Sequence, residues 1–321
     1  MLEKSLAEIV KLALKEDDVF HDITSDLTIS EKAEIAFKIA PRQDIIFCGS
    51  DIIFEVFAQL KKAKKFKNSN LDLEFFAQDG DKIKAKKPIL TGRGSSKIIL
   101  AGERVILNLI QHLSAISTST NEFVEKLDDK NIKILDTRKT LPGLRLLQKY
   151  AVEIGGGKNH RFNLSEMILI KDNHIAACGS VKKAILNAKK SKKKIEIECD
   201  NFAQVKEALA QLPDIIMLDN MSISEIKKCA KLIRGDEVLS SKNNPISPSK
   251  NNPISPSKIQ TISPSKIQTI SPSKMKKILI EVSGGINLEN IKNYRGLDID
   301  FISIGSLTHS VKAVDIGLDI K

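Results

Sequence analysis

The sequence predicts an α/β fold in two units, a strand-rich α+β domain followed by a parallel-sheet barrel. Three observations carry that expectation. From residue 132 onward, six apolar runs alternate with helical stretches, at 132–136 (IKILD), 167–171 (MILIK), 195–199 (IEIEC), 214–219 (DIIMLD), 278–283 (ILIEVS) and 300–304 (DFISI). Such alternation argues for a parallel sheet, and continuous apolar runs argue that both its faces are covered. Residues 1–104 lack the rhythm, which sets them apart as a separate unit. Closing the sheet gives a barrel related to the eight-stranded one but smaller.

Taken in order, the chain begins with a helix, Met1 to Val10 alternating apolar and charged residues at helical spacing without the basic start of a secretory signal. Short strands follow around 34–40, 44–48 and 71–76, with a helix from Asp51 to Leu60 between them. The turn at Asp79-Gly80-Asp81 and the Lys87-Pro88 pair punctuate this unit, and a helix of about Gly102 to Leu127 leads into the barrel. Within the barrel, Phe202 to Leu212 and Ser222 to Ile233 read as helices, the second with Ser222 as N-cap. Four perfect eight-residue units then interrupt the chain, NNPISPSK at 243–250 and 251–258 and IQTISPSK at 259–266 and 267–274. Eight residues are too few for a solenoid repeat, and the Pro and Ser content predicts a disordered or extended surface loop over 236–275. Removing it leaves an ordinary short helix-to-strand connection, on the barrel face opposite the catalytic loops.

With 321 residues, 41% of them hydrophobic, the chain can bury two cores. No apolar run approaches the ~18 residues of a membrane span, so a cytoplasmic enzyme without membrane partners is expected. The four cysteines are scattered, with no CxxC pair, and read as reduced structural thiols. A net charge of +11 invites a nucleic-acid reading. The lysines are nevertheless spread along the chain, as at Lys61, Lys62 and 192–194, and aromatics are 4%, so no basic run is interleaved with stacking rings. Solvated lysine faces and a field that attracts small anionic substrates are the expected consequences, with no nucleic-acid partner.

Chemistry concentrates at the strand tips, where ligands meet a parallel barrel. Arg138, Lys139, His160, Arg161 and Lys171 would form a cationic bowl, and four of the eight arginines lie in 104–161. Arginine suits bidentate recognition of carboxylate and phosphate. The run Gly155-Gly156-Gly157 before His160 would let backbone approach a ligand closely. Ser283-Gly284-Gly285, with Asn287 as N-cap, and Gly305-Ser306 each join a strand to a helix start, a place for phosphate. Glu198 and Asp219 either pair with the nearby cations or hold ribose hydroxyls and Mg²⁺. His21, His112 and His309 read as structural or exposed. Lys171, ending a strand, also fits a Schiff-base lyase.

These residues fall in motifs that resemble the quinolinate phosphoribosyltransferases. The carriers are LDTRKTLPGLRLLQKYAVEIGGGKNHRFNLSEMILIKDNH at 135–174, ITSDL at 23–27, GERVILNLIQHLS at 102–114, IEIECDN at 195–201, IIMLDNMS at 215–222, EVSGGI at 281–286 and IGSLTHS at 304–310. The resemblance implies an N-terminal α/β sandwich domain (1–104), joined by a C-terminal helix (306–321), and an open α/β barrel of about six parallel strands (105–305). It implies a homodimer with a shared active site, or a higher oligomer built from it. Arg138, Lys139, His160, Arg161 and Lys171 would then surround quinolinate and phosphates, with Arg104 reaching in from the other subunit. Glu198 and Asp219 would serve ribose and metal, and Ser283, Gly284, Gly285, Gly305 and Ser306 the 5′-phosphate. Lys139, Lys171, Glu198 and Asp219 form the expected catalytic set, Lys139 delivering a proton or lying near the departing carboxylate. A sibling of this family linked to molybdate uptake shares the motifs. His21 departs from the pattern, which usually has glycine there, and the insert is foreign to it.

Overall fold

The computed structural model describes residues 2–235 and 277–320, so the predicted loop over 236–275 lies outside the described residues. The chain opens with α1 (Leu2–Glu16) and α2 (Ile23–Thr28), the second N-capped by Asp22, whose carboxylate accepts the Ser25 N–H at 3.0 Å. Then come β1 (Glu34–Pro41), β2 (Ile45–Ile46), α3 (Ser50–Lys62), β3 (Leu71–Phe75), β4 (Lys82–Ile83), β5 (Leu90–Ser95) and α4 (Ser96–Leu127). The buried residues of α3 recur at helical spacing, Ile52, Ile53, Val56, Phe57 and Leu60, and form the stripe that meets α4. Gly102 makes that crossing close, since a Cβ there would sit 3.0 Å from the Phe57 ring.

Strand β5 was not among the sequence expectations, because its two glycines weaken strand propensity. The packing requires them. A Cβ on Gly92 would lie 2.5 Å from the Phe37 ring, and one on Gly94 2.8 Å from the Leu71 backbone. Helix α4 begins earlier than predicted and spans the anticipated domain boundary at 104/105. It is also long and apolar enough to cross a membrane by length and composition, contrary to the sequence reading, but 67% of its apolar window is buried inside the protein. Its hydroxyls serve neighbouring backbone: Ser117 Oγ donates to Ile46 O at 2.7 Å, and Thr118 Oγ1 accepts the Ile46 N–H at 2.9 Å.

The barrel half runs β6 (Lys133–Leu135), α5 (Arg145–Ile154), β7 (Ile168–Ile170), α6 (Asp172–Cys178), α7 (Val181–Ala188), β8 (Ile195–Cys199), α8 (Phe202–Leu209), β9 (Ile215–Asp219), α9 (Ile223–Arg234), β10 (Leu279–Ser283), β11 (Phe301–Ser303), α10 (Ser306–His309) and β12 (Ile316–Ile320). Six parallel strands lie in the order β6-β11-β10-β9-β8-β7, each inside a predicted apolar run. The end strands β6 and β7 do not pair with each other, so the barrel is open at one seam, and an isolated bridge from Leu135 to Lys158 lies there. Ser222 caps α9 as expected, in a reciprocal pair with Glu225.

Two expectations are corrected. Among the described residues no α-helix joins β10 to β11; Asn287 accepts the N–H groups of Glu289 and Asn290 in a turn, ahead of a 3-10 segment at Ile291–Tyr294. The C-terminal stretch 306–321 is not a helix throughout, since α10 is one turn and β12 adds antiparallel to β1, Ile39 facing Leu318, in the sheet β12-β1-β5-β3. The edge of β1 otherwise offers unpaired backbone groups, and Arg42 fixes the register by donating to both Asp319 oxygens, at 3.0 and 2.5 Å.

Candidate active site

Side chains alternate across a strand, so polar residues spaced by two share its inward face, as Glu281 and Ser283 do on β10. The tips converge on a cavity of about 280 Å³ lined by Arg138, Lys139, His160, Arg161, Lys171, Glu281 and Ser283, with Leu169 and Met217 on its floor. The five residues of the predicted cationic bowl are therefore brought together. Arg138 and Arg161 each keep a buried Nε with no hydrogen-bond partner among the described residues, while Arg161 Nη1 donates to Met167 O at 2.8 Å. Unsaturated guanidinium donors in a cavity suit a carboxylate-bearing ligand.

The loop carrying Lys139 is held from behind. Thr308 Oγ1 donates to Lys139 O at 2.7 Å, and Gln148 Nε2 donates to Thr308 O at 2.9 Å and lies 2.8 Å from His112 Nε2. Lys139 also lies against Gly305, where a Cβ would come within 3.2 Å of both its side chain and that of His309. Lys171 Nζ, in contrast, is ion-paired with Glu198.

His160 departs from the cationic role. Burial lowers its pKa, so the ring is neutral at neutral pH. Its Nδ1 accepts the Arg161 N–H at 2.8 Å, which leaves the proton on Nε2, 2.9 Å from Glu196 Oε2 and 3.7 Å from Glu281 Oε2. Burial pushes Glu196 up to about 7 and Glu281 well above the carboxylate range. Both glutamates were missed in the sequence. The signal was present: Glu196 precedes Glu198 by two, on the same inward face of β8, and Glu281 is a lone charge inside the apolar β10.

The triple glycine does not approach the cavity. Gly155 packs on α4, where a Cβ would lie 2.6 Å from Thr120 Cβ and closer still to the Ser117 carbonyl oxygen, and Gly157 packs against Val152. Gly156 takes a left-handed φ of 93°, which turns the chain toward Lys158. Glu198 and Asp219 line the far rim together with Asp200, their carboxylate oxygens within 4.8 Å of one another. That all-oxygen donor set fits a hard divalent cation.

The remaining expected residues lie outside the cavity. Gly284 takes φ 91° with Asn220 against it, Gly285 takes φ 64°, and Ser306 faces a neighbouring cavity of about 570 Å³. Arg104 is exposed on α4. All four cysteines are free, and burial pushes Cys199 up to about 12 and Cys229 up to about 11, in keeping with structural thiols.

Comparison with known proteins gives one consistent result. Residues 22–114 match the family model described as Quinolinate phosphoribosyl transferase, N-terminal domain, and residues 116–273 and 254–319 match its C-terminal counterpart. A Methanocaldococcus jannaschii protein named "Probable nicotinate-nucleotide pyrophosphorylase [carboxylating]" is 40% identical over 326 residues, covering 100% of this chain and 99% of that protein. A Mycobacterium leprae protein named "Nicotinate-nucleotide pyrophosphorylase [carboxylating]" is 33% identical, with 98% and 96% covered. Among solved structures, the nicotinate-nucleotide pyrophosphorylase of Ehrlichia chaffeensis is 38% identical, covers 98% of each chain and superposes with a TM-score of 0.80.

Proposed function

The chain belongs to the quinolinate phosphoribosyltransferase family, and from that premise we propose how its residues carry the reaction. The enzyme is a decarboxylating pentosyltransferase of NAD biosynthesis: quinolinate, phosphoribosyl pyrophosphate and a proton give nicotinate mononucleotide, pyrophosphate and CO₂. The observation that carries the residue assignments is that Arg138 and Arg161, each with a buried Nε that has no partner among the described residues, line a cavity shared with Lys139 and Lys171.

Quinolinate is a dianion with two adjacent carboxylates, and Arg138 and Arg161 bind them, with Lys171 above. Lys171 bridges to Glu198 and so links the quinolinate end to the ribose end. The pyridine nitrogen forms its bond to the ribose anomeric carbon as the bond to pyrophosphate breaks. Glu198 and Asp219 would hold Mg²⁺, which supplies neutralising charge for the departing pyrophosphate. The backbone of Ser283 to Gly285 and Gly305-Ser306 receives the 5′-phosphate. The quaternised nitrogen then stabilises the carbanion left when the 2-carboxylate departs as CO₂, and Lys139 delivers the proton that replaces it. The protein works as a cytoplasmic homodimer, in which Arg104, exposed and without an ion pair among the described residues, reaches the neighbouring cavity.

A Schiff-base lyase is disfavoured, because a nucleophilic lysine needs to be desolvated and free of a neutralising carboxylate, and Lys171 has a carboxylate partner and a side chain 45% exposed. The deciding experiment supplies purified protein with quinolinate, phosphoribosyl pyrophosphate and Mg²⁺, with nicotinate as control. Nicotinate mononucleotide and equimolar CO₂ from quinolinate alone are expected. A folded protein that makes neither would overturn the assignment and favour the molybdate-linked sibling.

A further inference from the structure

We propose that Asp136, Lys149 and Glu196, none of which lines the predicted bowl, are positioning residues that hold His160 and Arg161 in the cavity and thereby set its affinity for quinolinate. This rests on the reading of the cavity as the quinolinate site.

The seam between β6 and β7 is filled by the peptide carrying His160 and Arg161, and its polar groups are caught by charged side chains. His160 N–H donates to Asp136 Oδ1 at 2.9 Å. Lys149 Nζ donates to His160 O at 2.8 Å and is ion-paired with the same Asp136. The imidazole is fixed from both sides, by the Arg161 N–H at Nδ1 and by Glu196 Oε2 at 2.9 Å from Nε2. Both the backbone and the ring of His160 are therefore held, and Arg161 follows from it through one peptide bond.

Asp136, Lys149 and Glu196 are each 0% exposed. Burying three ionisable side chains costs free energy that an apolar plug of the same volume would avoid, so filling the seam is not by itself a sufficient reason for them. Hydrogen bonding supplies one, since each of the three meets a polar group of the His160 peptide or ring. Burial lowers the Arg161 pKa, neighbouring Arg138 lowers it further, and Glu196 opposes both. Glu281 faces the same ring from 3.7 Å, Met167 O takes one Arg161 donor, and Lys171 and Glu198 lie further along the inner face.

The test compares wild type, Glu196→Ala and Glu196→Gln by melting temperature, by KM for each substrate, and by calorimetric titration with quinolinate. In Glu196→Ala the quinolinate KM rises at least tenfold while that for phosphoribosyl pyrophosphate stays within twofold. Glu196→Gln, which keeps an acceptor for Nε2–H, recovers most of the loss. Should Glu196→Ala not fold, Lys149→Met carries the same comparison, because it frees the His160 carbonyl. Equal changes in both KM values, or wild-type quinolinate affinity in a folded variant, would overturn the positioning role. Absence of quinolinate binding by the wild type would instead overturn the site reading and the proposal with it.

Discussion

Gly155→Ala tests whether the triple glycine serves packing. Gly155 sits at φ −74° and ψ −2°, a conformation open to any residue, so the substitution adds a methyl group without backbone strain. That methyl group would lie 2.6 Å from Thr120 Cβ, with the Ser117 carbonyl oxygen nearer still. Ordinary carbon contact is ~3.5 Å, so the end of α5 must retreat from α4 by about 1 Å. The obstacle includes main chain inside a 32-residue helix, which cannot rotate aside. Overpacking costs about 1–3 kcal/mol, and the backbone obstacle points to the upper end. Unfolding entropy of about 2.1 cal/mol/K per residue makes ~3 kcal/mol equivalent to a Tm fall of roughly 4–5 °C in a chain of this length. Because α5 leads directly into Lys158 to Arg161, the retreat also reaches the cavity. A full ~1 Å misplacement can cost about 100-fold in rate, and the attenuated shift should lower kcat/KM for quinolinate about tenfold. Calorimetry and steady-state kinetics on the same preparation give both numbers. An unchanged Tm with unchanged kcat/KM would refute the packing account.

Lys139→Ala should reduce turnover at least 100-fold with little change in Tm, since the held backbone of that loop does not depend on the side chain; near-normal turnover would sink its assignment. Burial raises Asp136 to about 6 in the folded protein, so between about pH 4 and 6 the native state holds a proton that the unfolded chain has released. Stability from this group is therefore full below about pH 4 and lost as pH rises through about 6. Asp136→Asn should flatten that part of the Tm profile, and a variant profile parallel to wild type would contradict it. Arg234 Nη1 donates to Ile278 O at 2.8 Å, which ties together the two chain ends that flank the insert. Replacing 236–275 by a short Gly-Ser linker should accordingly leave Tm and kcat within experimental scatter; a loss of either would show that the insert contributes.

The barrel was legible because its signals are local. Each strand is a short apolar run and each tip ends in polar residues, among them Glu198, Asp219 and Ser283. Some of the site's cations were legible for the same reason: Arg138, Lys139 and Lys171 stand just past strand ends. The rest depended on distance through space. Strand β5 needs glycines that propensity counts against, and β12 takes its form from the open edge of β1. The triple glycine is shaped by α4, which lies 28 or more residues earlier in the chain. Neutral His160 and the raised carboxyls of Asp136 and Glu196 depend on burial, which sequence spacing does not express. By itself the sequence determined which strand ends carry polar chemistry and the class of ligand that so many cations would attract. Tertiary structure decided which charges are buried and which residue each one meets, because desolvation and Coulomb energy depend on depth and separation in space.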